Sequence, residues 1–240
     1  MFVERFFLGC VMAAALTAGG CAAGASNSQD PPVEAVDAAG GATSGKKAPD
    51  VYWVRLETTK GDVDIEVHRD WSPHAADRFY QLVEERFYND CRIFRVIPGF
   101  MAQVGIAADP KLTTKWKGKS ILDDHFQPGD PNLQSNKPGY VSFAKAGMPN
   151  SRVTQFFINT ADNSGNLDGL GFTPFGVVLN GLPAVEVFFA GYQEGPTGPR
   201  QDKILLQGNA YLDDEFPKLD SIKKATLLSK KPEPTKKPAE

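Results

Sequence analysis

Between residues 50 and 228 the apolar and polar positions alternate in short runs. Residues 51–58 and 63–67 both alternate apolar with polar residues, and Thr59-Lys60-Gly61-Asp62 between them is turn chemistry, so the pattern predicts an opening β-hairpin. At Ser72-Pro73 the period changes. An N-cap residue is followed by proline at the first helical position, and Ala76, Phe79, Leu82, Val83 and Phe87 recur at three- and four-residue spacing, which predicts a helix of about four turns with one buried face. Runs bounded by Gly, Pro, Asn or Asp predict strands over residues 91–97, 101–105, 140–144, 156–159 and 175–179, a second short helix over 182–189 and a closing strand over 203–207. Many short strands, two helices and no regular βαβ alternation predict a mainly β, antiparallel, closed or nearly closed barrel.

The two ends have a different pattern. Residues 1–20 carry Arg5 offset by Glu4 and then the apolar run from Phe6 to Leu16, too short for a spanning helix, which needs roughly 18 apolar residues, but suited to an export signal. Ala18-Gly19-Gly20-Cys21 follows and resembles the bacterial lipoprotein signal, with Ala18 where leucine is usual. Ordinary cleavage near Ala22-Ala23 is the competing reading. Lipidation of Cys21 is preferred because that residue sits where the apolar run ends. Residues 22–48 hold almost no large apolar side chain and cannot repay their ordering entropy. The expected organisation is an export signal (1–20), a flexible tether (21–49), one domain (50–228) and a disordered Lys/Pro tail (229–240), with the protein in the cell envelope, lipid-anchored on the periplasmic side of a membrane.

Composition narrows the function. Twenty-six Lys+Arg against 29 Asp+Glu leave a formal net charge of -3, which argues against nucleic acid as the main partner. Three cysteines, of which Cys91 alone lies in the domain, supply no disulfide framework, and Cys91 reads as a small buried hydrophobe. His68, His74 and His125 stand at no metal-ligand spacing, no Gly-x-Ser-x-Gly elbow occurs, and His68-Arg69-Asp70 lacks every companion of a kinase loop. Asp123-Asp124 and Asp213-Asp214-Glu215 read as solvated acidic steps. No metal and no cofactor are expected.

One cation stands out. Arg95 lies within Phe94-Arg95-Val96-Ile97-Pro98-Gly99-Phe100-Met101-Ala102-Gln103. Arginine cannot shed its charge, so in such a strand it either points into water from an edge or faces a cleft lined with acceptors. A second segment, Tyr140-Val141-Ser142-Phe143-Ala144-Lys145-Ala146-Gly147 with Gln155-Phe156-Phe157-Ile158, sets another polar group among aromatics and favours the cleft.

These strings, together with Leu167-Asp168-Gly169 and Pro174-Phe175-Gly176, closely resemble the cyclophilins, the barrel-shaped peptidyl-prolyl cis-trans isomerases, over roughly residues 54–207. Residues 166–228 look like an exported bacterial branch. The resemblance implies a closed, eight-stranded cyclophilin-like barrel that accelerates rotation of X–Pro bonds in exported polypeptides and works as a monomer. It also implies roles: Arg95 as catalytic arginine, braced by Gln103; Phe100, Met101, Phe157 and Leu167 as the proline pocket; Gln155 and the backbone of Ala144 as the main-chain clamp. Three positions depart from the family pattern. Asn166 stands where a cyclosporin-binding tryptophan is usual, Lys145 stands between the two alanines where asparagine is usual, and Phe172 replaces the pocket histidine across a one-residue insertion. They motivate the alternative of a catalytically weak chaperone or proline-peptide scaffold.

Overall fold

In the computed structural model, which describes residues 46–124, 129–192, 194–195 and 197–234, β1 (Val51–Thr58) and β2 (Gly61–His68) form the expected hairpin, paired from Val51 opposite His68 to Thr58 opposite Gly61. The alternation places Tyr52, Val54, Leu56, Val63, Ile65 and Val67 inside. The readings of residues 1–45 and 235–240, Cys21 and the export signal among them, lie outside the described residues.

Helix α1 (Pro73–Glu84) packs its Ala75, Ala76, Phe79, Leu82 and Val83 into the core, where the Phe79 ring meets those of Tyr88, Phe156 and Phe175 at 5.0–5.4 Å. It is a turn shorter than its apolar spacing suggests, because Arg86 takes a left-handed φ of 57° and the Phe87 N–H turns back to the Leu82 carbonyl. Phe87 is buried beyond the helix end. Ser72 holds the N-cap position but makes no cap bond. Its hydroxyl donates instead to Asp124, whose carboxylate accepts from the His74 N–H at 3.0 Å and pairs with Arg152 Nη2 at 3.0 Å. The Asp123-Asp124 step is therefore a buried anchor for α1, not a solvated loop. An anion at a helix N-terminus meets unpaired N–H groups there, which explains why the pair is drawn inside.

The remaining strands are β3 (Cys91–Arg92), β4 (Arg95–Ile97), β5 (Met101–Val104), β6 (Tyr140–Phe143), β7 (Phe156–Asn159), β8 (Pro174–Asn180) and β9 (Ser221–Leu228), and the helices are α2 (Pro110–Trp116), α3 (Ser164–Leu167), α4 (Leu182–Glu186), α5 (Gln201–Gln207) and α6 (Asn209–Glu215). The nine strands of the described residues lie in one antiparallel sheet of order β3-β9-β1-β2-β8-β6-β7-β5-β4. This corrects the closed eight-stranded barrel with two helices: the sheet is a curled half-barrel whose ladder stays open. The stretch 91–97 is not one strand. It breaks where Ile93 turns into the main core and Phe94 into a separate apolar cluster, so its halves pair at opposite edges, Cys91–Arg92 with β9 and Arg95–Ile97 with β5. The expected closing strand at 203–207 is helix α5, which buries Ile204 and exposes Leu206. The sheet is completed by β9, where Ile222 and Ala225 face inward.

Cys91 is fully buried, and burial pushes its thiol up to about 12. Past β9 the chain lies against the sheet: Lys231 Nζ meets Glu66 Oε2 at 2.9 Å and Asn180 Nδ2 donates to the Glu233 carbonyl at 3.0 Å. Burial alone would raise the Glu66 carboxyl, but hydrogen bonds from Trp53, Lys231 and His68 outweigh it and hold it at about 2. A carboxyl depressed on folding contributes stability above its ordinary value of 4.5 and loses that contribution as pH falls towards 2. Glu66→Gln is therefore expected to lower stability by about 1 kcal/mol at neutral pH, an amount discounted for the exposed Lys231. Urea titrations from pH 7 to pH 2 should show the two proteins converging at the acid end; a constant gap would contradict it.

Candidate active site

The hairpin of β4 and β5 sets Arg95 opposite Gln103, and β7 sets Phe157 on the other side of Gln103. Residues paired across a sheet share a face, so Arg95, Gln103 and Phe157 form one row, and Ile97 and Met101 lie in the next row on the same face. The intervening residues Val96, Ala102 and Ile158 face the main core. The period of two thus divides one apolar string into core and site. Gly99, with a φ of 69°, makes the tight turn between the strands.

Beside the arginine, Met101, Phe157 and Leu167 are buried together, with Ile97, Phe100, Ala144 and Phe172 packed around them at partial exposure. All five apolar residues expected in the proline pocket, Phe172 included, are brought together. The Phe172 ring stands edge-on to Phe157 at 5.8 Å and carries the Lys145 ammonium 5.4 Å from its centroid. Asn166 is exposed.

The polar side of the site is a chain of hydrogen bonds. Arg95 Nη1 donates to Gln103 Oε1 at 3.0 Å, and Gln103 Nε2 donates to Gln155 Oε1 at 2.8 Å. Gln103 is 6% exposed, so it acts as a fixed brace. One expectation changes: the Ala144 N–H is given to the Gln155 carbonyl at 2.9 Å, leaving only the carbonyl of that residue to meet a peptide. Among the described residues no three His, Cys, Asp or Glu side chains gather as a metal site would require. His68 stacks on Trp71 at 4.0 Å and Arg69 pairs with Asp77, so the His68-Arg69-Asp70 string is structural.

Sequence reading missed two groups of residues. Glu194 binds Arg95 Nε and Gln201 Oε1 accepts from Gln155 Nε2 at 3.3 Å; both come from a Gly/Pro-rich stretch that carries no motif. Beneath the pocket, fully buried Asn136 donates from Nδ2 to Asp168 Oδ1 at 2.8 Å and to the Phe172 carbonyl at 2.7 Å, and accepts from Ser142 at 2.8 Å and Asn159 at 3.2 Å. Asn163 Nδ2 adds bonds to the Phe100 carbonyl and Asn159 Oδ1. Isolated asparagines in apolar or turn segments give no spacing signal that would reveal such a network.

The site therefore sets a fixed guanidinium and its glutamine brace beside an apolar pocket. The family described as "Cyclophilin type peptidyl-prolyl cis-trans isomerase/CLD" matches residues 53–207. This chain belongs to that family. Among its cyclophilin relatives, peptidyl-prolyl cis-trans isomerase B of Escherichia coli is 32% identical over 155 residues, 62% of this chain and 90% of that protein. Peptidyl-prolyl cis-trans isomerase-like 4 of Mus musculus is 33% identical over 193 residues, and there the match takes in 76% of this chain but only 37% of the mouse protein's length. A solved cyclophilin-type isomerase of Cryptosporidium parvum shares the fold with a TM-score of 0.53 at 23% identity, covering 75% of this chain and 99% of its own.

Proposed function

We propose that this cyclophilin domain accelerates X–Pro rotation in exported polypeptides, with Arg95 stabilising the twisted amide. The observation that carries the reading is the guanidinium of Arg95, held by Gln103 on the sheet face that carries the Met101, Phe157 and Leu167 pocket. An X–Pro amide turns over in tens to hundreds of seconds because twisting breaks the resonance of a partly double bond. In the twisted form the prolyl nitrogen regains its lone pair and accepts a hydrogen bond that the planar amide cannot. A donor fixed near that nitrogen binds the transition state more tightly than either ground state, which is the condition for catalysis. No proton has to move. A ten-thousandfold acceleration needs about 5.4 kcal/mol of differential binding, within reach of one or two charge-assisted bonds and an apolar clamp on the ring.

The proline ring would sit against Met101, Phe157 and Leu167, with Phe172 closing one side and Gln155 meeting the peptide main chain. Exchange NMR on one prolyl peptide tests the reading: wild type is expected to speed cis–trans exchange, and Arg95→Ala to bind the peptide while losing about a hundredfold or somewhat more of that acceleration. Equal acceleration by both proteins would remove the arginine from the mechanism, and binding without acceleration by wild type would leave the weak scaffold. Placement at a membrane rests on the apolar run ending at Cys21 and the Ala/Gly/Ser-rich tether after it. Detergent partitioning that persists in Cys21→Ser would contradict a lipid anchor there.

A further inference from the structure

Between α4 and β9 the chain leaves the sheet to form α5 and α6, and these build a second apolar cluster: Phe94, Ile106, Ile204, Tyr211, Leu212 and Phe216 are buried together, with Tyr192 and Leu219 against them. Phe94 immediately precedes Arg95, and Ile106 lies just beyond β5. The insert therefore grips the hairpin of Arg95 and Gln103 at its base. Two side chains reach from it to the site itself. Tyr192 is clamped between the rings of Phe189 and Phe216 at 5.0 and 4.9 Å, and two residues later Glu194 takes the Nε edge of Arg95. The chain then turns at Gly195, whose φ is 88° and whose carbonyl accepts from the Gly198 N–H at 3.2 Å. Gln201 opens α5, which Ile204 pins into the cluster, and it accepts from Gln155.

We propose that Glu194 and Gln201 are positioning residues for the isomerase centre: they close the chain Glu194–Arg95–Gln103–Gln155–Gln201, both ends of which the insert supplies, so that the guanidinium plane is fixed and Nη2 is left to meet the twisted amide. The inference rests on Arg95 being the group that meets the amide. A long arginine side chain held at Nη1 alone can still swing about that bond. A second acceptor at Nε, on a different edge of the guanidinium, removes that freedom. The Glu194 carboxylate is half exposed, and such ion pairs contribute little to stability, so the effect belongs in the rate and not in the melting temperature.

A double-mutant cycle tests this on the full chain: wild type, Glu194→Ala, Arg95→Ala and the double variant, with Glu194→Gln and Gln201→Ala alongside, assayed for kcat and KM with one prolyl peptide. Glu194→Ala is expected to lower kcat about tenfold, the cost of a loosely held reacting group, with KM little changed. Gln201→Ala should lower it less. Glu194→Gln, which keeps an acceptor oxygen, should restore most of the loss. In the Arg95→Ala background Glu194→Ala should cost nothing further. The Arg95 Nε–Hε NMR signal, downfield in wild type, should move upfield in Glu194→Ala while the melting temperature holds. A kcat that is unchanged or higher in Glu194→Ala, the latter showing a carboxylate that competes with substrate, would overturn the proposal, as would an equal loss in both backgrounds. If Arg95→Ala itself matched wild type, the arginine reading would fall first and this one with it.

Discussion

Arg95→Lys is expected to lose about a hundredfold in kcat/KM, nearly as much as Arg95→Ala, while binding the same prolyl peptide almost as well as wild type. The lysine keeps the charge at the same strand position, so any model in which positive potential over the pocket suffices predicts a mild effect. What lysine lacks is the planar fork. Arg95 gives Nη1 to Gln103 and Nε to Glu194 with one nitrogen to spare, and the rigid plane transmits those restraints to the third group. An ammonium on a flexible stem can reach Gln103 or the amide, but holding it to one does not aim it at the other. A hundredfold loss corresponds to about 2.7 kcal/mol of transition-state binding, the size of one well-placed donor in a protected site. Exchange NMR across a peptide titration separates the two effects, with the shift changes giving affinity and the line shapes giving rate. Near wild-type exchange in the lysine variant would show that charge and apolar clamping carry the reaction without an aimed hydrogen bond.

The elements that could be read from the chain are those whose evidence is local. The β1–β2 hairpin announces itself by period two with a Gly turn, and α1 by period 3.6 after Ser72-Pro73. The pocket was legible through the resemblance to the cyclophilins, which named Arg95, Gln103, Met101 and Phe157; the pairing of β4, β5 and β7 then sets all four on the face opposite Ala102 and Ile158. The misread elements depend on what the chain meets at long range. Nothing local marks the break after Arg92, which exists because Ile93 and Phe94 are claimed by different clusters. Residues 203–207 form an apolar run of a length that strand and helix share, and only the position of Ile204 under Tyr211 and Phe216 decides it. The lysine pair in the middle of β9 hid a strand whose buried apolar residues are Ile222 and Ala225.

The same distinction runs through the polar residues. Arg95 was conspicuous because a charge in an apolar strand demands an explanation. Asp124, Asn136 and Glu194 were not, since each is an ordinary loop residue until another part of the chain arrives. Asp124 becomes a helix anchor through Arg152 and Ser72, Glu194 becomes an arginine partner because Tyr192 fixes the loop before it, and Asn136 becomes a hub through Asp168 and Phe172. Buried polar groups are almost always satisfied, but which partner satisfies them is settled by tertiary geometry.

Asn136 is where this has the largest consequence for stability. Asn136→Ala is expected to cost about 3 kcal/mol, because the fully buried Ser142 and Asn159 and the partly buried Asp168 carboxylate and Phe172 carbonyl each lose a partner. The loss should appear in function as weaker binding and not as a slower chemical step. Asp168 and the Phe172 carbonyl hold the segment that carries Leu167 and Phe172, so KM rises several-fold while kcat, set by Arg95 on the other side of the slot, changes little. Asn136→Asp separates this account from simple loss of volume. It keeps the shape but places a second carboxyl within hydrogen-bond distance of Asp168, where two charges cannot stand together. The pair is forced to share a proton, so acidification should recover stability in the aspartate variant and not in the alanine one. Urea denaturation of both variants at pH 7.5 and pH 5 distinguishes them. If the aspartate variant gained nothing on acidification, Asn136 would not be the link between Asp168 and the pocket wall.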